Sequence, residues 1–191
     1  MIRTLILHAT LALCMLLSGC LLSVQPLSNP AKAAPDPQLY GVWVAHDEGE
    51  NLVYLHVGPG DKGMTKALWV EYGKDAAFKV SHYTAFPTQL ENMTLLNVIS
   101  LDDHPSTKGY DIMWYHIGGN RSLSLALMSE EVVRQDIRDG KLKGNIKPGK
   151  FSDTLITASS SELRAYIKAA DPSKLFGKPL KFERAGDPAN N

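Results

Sequence analysis

The chain has 191 residues, 20 basic side chains against 20 acidic ones, and 44% hydrophobic residues. That length suits one domain with a core of its own. A net charge of zero speaks against a nucleic-acid footprint, which needs clustered lysine and arginine, and two cysteines are too few for a disulfide framework.

The chain opens in three zones: a basic start at Met1, Ile2 and Arg3, an apolar run from Leu5 to Leu17, and small residues Ser18 and Gly19 ending at Cys20. This is the order of a secretory signal peptide, and the apolar run is too short for a bilayer core of ~30 Å. The string Leu17, Ser18, Gly19, Cys20 resembles the lipobox of bacterial lipoproteins. The resemblance implies that residues 1–19 are removed, that the Cys20 thiol carries a diacylglyceryl group, and that Cys20 becomes the new N-terminus. By the sorting rule of those lipoproteins, Leu21 in place of an aspartate after the cysteine implies the outer membrane, facing the periplasm. Removing residues 1–19 takes Arg3 and Cys14 away, so no disulfide is expected within the remaining chain.

From Cys20 to Gln38 the chain is rich in proline, alanine, serine and asparagine without periodicity, including Pro26, Pro30, Pro35 and Pro37. This reads as a flexible tether. Beyond it, short runs of alternating hydrophobicity separated by turn residues predict strands at 41–47, 51–58, 64–73, 77–86, 90–100, 110–117 and 121–128. Val53, Leu55 and Val57 share one face of their strand, as do Leu123, Leu125 and Leu127. Then the period changes. Ser129 reads as the cap of a helix that holds Val133 and Ile137 and stops at Gly140, and Thr154–Ala158 reads as a strand. Ser159 with Glu162 forms a capping box for a second helix over 160–170, ended by Asp171 and Pro172. Leu180, Phe182 and Arg184 give a last strand, and 186–191 a frayed tail.

The fold class expected is mainly β: an antiparallel barrel of about eight or nine strands with two short helices over 39–185. The same alternation also suits a sandwich or an open curled sheet. Gly41-x-Trp43 opens the first strand and Leu180-x-Phe182-x-Arg184 closes the last. In this the chain resembles the lipocalin-like barrels, in which the early tryptophan plugs one end and an arginine of the terminal strand packs across its ring. The resemblance implies a structural role for Gly41, Trp43 and Arg184.

No motif carries recognisable catalytic chemistry. His46, His56, His82, His104 and His116 stand in no H-x-H or H-E-x-x-H pair, so no metal site is expected. Gly58 to Gly63 is followed by a strand pattern and not by the helix a phosphate loop needs, and it reads as a turn. Ser159, Ser160 and Ser161 match no nucleophile elbow. Asp102, Asp103 and His104 read as a polar loop. If the barrel encloses a cavity, Tyr54, Trp69, Tyr72, Tyr83, Trp114, Tyr115, Met93 and Met113 supply candidates for its lining. The expectation is therefore an envelope lipoprotein anchored by lipid on Cys20, without enzymatic activity, cofactor or metal, that binds an apolar small molecule. A structural or accessory subunit of an envelope complex, or an enzyme of unfamiliar type, is the alternative.

Overall fold

The computed structural model of the chain describes residues 21–47, 51–73, 77–102, 109–119, 121–147 and 154–186. The expected signal segment, Cys20, Asp103, His104 and the residues beyond Gly186 lie outside the described residues. In chain order the elements are β1 (Leu21–Ser23), β2 (Gly41–His46), β3 (Leu52–Pro59), β4 (Thr65–Tyr72), β5 (Phe78–Leu90), β6 (Met93–Ser100), β7 (Asp111–Gly118) and β8 (Ser122–Leu127). They continue with α1 (Glu130–Arg138), β9 (Gly144–Ile146), β10 (Thr154–Ile156), α2 (Ser160–Ala169), α3 (Pro172–Leu175) and β11 (Leu180–Arg184).

Strands β2 to β8 run up and down in sequence, and β11 closes an eight-stranded antiparallel barrel between β8 and β2. The alternation seen in the sequence now has its physical meaning. One residue in two points inward, and these side chains form one cluster that includes Trp43, Ala45, Val53, Leu55, Trp69, Tyr83, Val98, Met113, Leu123 and Phe182. The outward set on β5 to β8 is also apolar where it is covered. Leu90, Leu95, Ile112 and Ala126 pack with Val133, Leu142, Ile156, Leu163, Ile167 and Leu175 of the helical excursion in a second core.

That excursion, inserted between barrel strands β8 and β11, holds its helices by local chemistry. The Ser159 hydroxyl accepts from the Glu162 backbone N–H while the Glu162 carboxylate accepts from the Ser159 backbone N–H, a complete capping box. Lys143, then the Ser159 donors, pull the Glu162 carboxyl down to about 2. The sequence reading needs correction at three places here. Asp171 and Pro172 do not simply end the second helix, for Asp171 caps a third, one-turn helix with Pro172 at its first position. Thr154–Ile156 is not a barrel strand but the centre of a separate three-stranded sheet, β1-β10-β9. Strand β5 passes through Pro87 to Leu90, and the break falls instead at Glu91, whose positive φ of 54° makes a tight turn into β6. Pro87 is accommodated because β5 there extends beyond Ala85, the last of its residues to pair with β4.

The largest correction concerns the expected tether. Residues 21–38 are bound along the barrel from one end to the other. Leu21 to Ser23 pair in parallel with Thr154 to Ile156, and Ser23 bridges Tyr110 at the start of β7. Gly109 makes this approach feasible, since a Cβ there would lie 2.8 Å from the Leu22 Cβ. Leu27 is buried, and its backbone N–H donates to the fully buried Asn97 amide oxygen at 2.6 Å. Asn29 and Asp36 cap 3-10 turns that begin at Pro30 and Pro37, and the second turn delivers Leu39 into the barrel interior. The prolines pre-set these turns; they do not keep the segment loose.

Candidate functional site

The two ends of the barrel differ. At the end where β2 begins, the lumen is packed shut. Trp43 is fully buried and its indole N–H donates to the Leu39 carbonyl at 2.8 Å. The Arg184 guanidinium lies 4.4 Å from the centroid of the Trp43 ring and donates to the Tyr40 and Gln38 carbonyls, both at 2.8 Å. Gly41 is the residue that permits this. Its φ is +134°, and a Cβ there would stand 2.8 Å from Arg184 Nη1. Tyr115 completes the closure by donating its hydroxyl to Asp36 at 2.9 Å, and burial followed by that carboxylate pushes the phenol far above its ordinary range.

At the other end, where β2 finishes and β7 starts, the lumen is hollow. A cavity of about 650 Å³ opens there. Its inner wall is Trp69, Met113, Leu125, Leu127, Leu180 and Phe182, with Trp69 and Phe182 in edge-to-face contact at 5.8 Å between centroids. Its mouth has a structural cause. Strand β11 pairs with β2 only through Glu183 and Arg184, so the strands part toward this end and leave a gap framed by His46, Asp47, Lys178 and Lys181. The inward Asp111, nearly buried, and Asp47, which binds Asn51 through both carboxylate oxygens, give the rim its polarity. The cavity then continues over the rim to Leu21 and Leu22, beside the first described residue of the chain.

The structure sorts the candidate lining residues. Trp69, Tyr83, Met113 and Tyr115 face the interior, whereas Tyr54 and Tyr72 meet edge to face on the outer surface, Trp114 stacks on His116 there, and Met93 packs against the outer core. The histidines do not converge. His46, His56 and His116 are exposed on separate strands, and His82 pairs with Asp102, whose carboxyl its backbone amide chiefly, and then its ring, hold below the usual range. Among the described residues no three histidine, cysteine, aspartate or glutamate side chains are grouped to hold a metal ion. Ser159 is engaged as a helix cap. Gly58 to Gly63 joins β3 to β4 as a turn. The residues missed by sequence reasoning are those of the mouth. Asp47 and Asp111 carry the inward parity of their strands, which was the available signal, but their place at a gap follows from strand divergence.

No family model, curated protein or solved structure matches the chain. The likeness to lipocalin-like barrels thus rests on the closed eight-stranded barrel and on the plug of Gly41, Trp43 and Arg184.

Proposed function

We propose that the protein is a lipoprotein of a bacterial envelope, held on a membrane by Cys20 and non-enzymatic, whose barrel takes an apolar small molecule into the cavity at its open end. The observation that carries the reading is the asymmetry of the lumen. Leu39, Trp43 and Arg184 plug one end, and the other opens into a cavity of about 650 Å³ that runs from an apolar inner wall past a polar mouth and over the rim. That volume lies within the ~300–1,000 Å³ of small-molecule sites, which are likewise mostly apolar with a few polar groups. The address rests on the order of residues 1–20, and the outer membrane on Leu21.

The test uses the chain from position 20 onward with Cys20→Ser, which retains every described residue. Palmitate and then phosphatidylcholine are titrated while tryptophan emission is followed. Trp69 lines the cavity, so binding is expected to change emission in the parent protein and not in Trp69→Phe. Organic extraction and mass spectrometry should recover a co-purified guest. An empty extract together with unchanged emission across the panel would overturn the binding reading and leave a structural scaffold.

A further inference from the structure

We propose that the open end of the barrel is docked on the lipid bilayer, with Tyr72 of β4, Phe78 and Val80 of β5 and Leu101 after β6 seated in the interface and the cavity mouth turned toward the membrane. The proposal rests on the lipoprotein reading of Cys20 and extends it to orientation. Three features point to the membrane at this end.

The first is the path of the chain. Leu21 already belongs to a strand tied to β7 at the open end through Ser23 and Tyr110. The lipid-bearing residue is its direct neighbour, and one residue spans at most ~3.6 Å. No slack separates the anchor from the rim.

The second is the distribution of exposed apolar side chains. The large hydrophobic residues most exposed among those described are Val24, Tyr72, Phe78, Val80 and Leu101, with Phe78 at 65% and Leu101 at 58%. All five lie at the open end. Residues 78–82 reach past Tyr83, the first residue of β5 to pair with β6, so Phe78 and Val80 stand beyond the edge of β6. Tyr72 lies between Tyr54 and Phe78, with ring centroids 5.9 and 6.0 Å away, forming an outward aromatic row. Aromatic rings with apolar neighbours favour the headgroup level of a bilayer.

The third is the contrast with the closed end. Its turns carry Asp61 and Lys62, Glu91, and Arg121, and none exposes a large hydrophobic side chain. Charged residues stand at both ends, so the exposed apolar side chains are what set the open end apart.

The test places the chain that begins at Cys20, lipidated there and without Cys14, on phosphatidylcholine vesicles. A polarity-sensitive thiol dye is attached through Leu101→Cys or Lys79→Cys on the open rim, or Gly119→Cys at a closed-end turn. Lipid blocks the Cys20 thiol, so each introduced thiol reacts alone. Lys79→Cys leaves the aromatic row intact. Blue-shifted emission, quenched by brominated lipid, is expected at 79 and 101, with emission as in water at 119. Water-like emission at all three positions, or burial at 119, would overturn the orientation. If that occurs while palmitate still alters Trp69 emission in the Cys20→Ser protein, only the docking fails. If the wild-type chain fractionates away from membranes, the docking fails together with the anchor.

Discussion

At the scale of single residues, Gly41, Trp43 and Arg184 act as one device. The indole fills the lumen, the guanidinium covers it and ties down the Gln38 and Tyr40 carbonyls, and the glycine supplies both the backbone angle and the empty space. Gly41→Ala is therefore expected to lower the unfolding free energy by ~1–3 kcal/mol, read as a lower urea midpoint, because it combines a strained φ with a clash. Trp43→Leu and Arg184→Met, singly and together, should show a coupling of ~0.5 kcal/mol or more in a double-mutant cycle, and strict additivity would mean that the cation contributes nothing through the ring. Tyr115 gives a pH signature. Its folded-state phenol is raised by burial and by Asp36, so its contribution is whole below the ordinary phenol value of ~10 and is lost as pH climbs from there through the raised value. Tyr115→Phe should flatten the fall in stability on the alkaline side, measured by denaturant midpoints from neutral to strongly basic pH.

At the scale of elements, the barrel strands were legible because each is a half-buried surface with a period of two, and both longer helices because their caps are written in adjacent residues. The segment over residues 21–38 was not. It has no period of its own, since it follows the outside of the barrel and is ordered by partners such as Asn97, Thr88 and Ile156 that are distant in sequence. The cavity was hidden for a related reason: Leu125, Leu127, Leu180 and Phe182 read as ordinary core, and only the parting of β11 from β2 decides that space is left beside them. The buried Leu27 makes the role of the segment measurable. Leu27→Ala should cost ~2–5 kcal/mol, far more than a residue of a solvated linker would. A chain starting at Gln38 should melt at a lower temperature than one starting at Leu21, whereas equal melting temperatures would return the segment to the status of a tether.

At the scale of the whole molecule, stability and ligand are linked. A guest that binds only the folded barrel adds ~2.7 kcal/mol when its free concentration is about 100 times its Kd. Palmitate should therefore raise the melting temperature of the Cys20→Ser protein, and a large-to-small change deep in the wall, Phe182→Ala, should lower the apo stability. The parallel pairing of β1 with β10 has a further consequence, in time and not in space. Leu21 to Ser23 are synthesised long before their partner, Thr154 to Ile156, and the strand that seals the barrel comes later still. Contacts so remote in sequence form slowly. The residues of β1 thus stay without their strand partner until most of the chain has been made, and become locked against the barrel only when its last elements are in place.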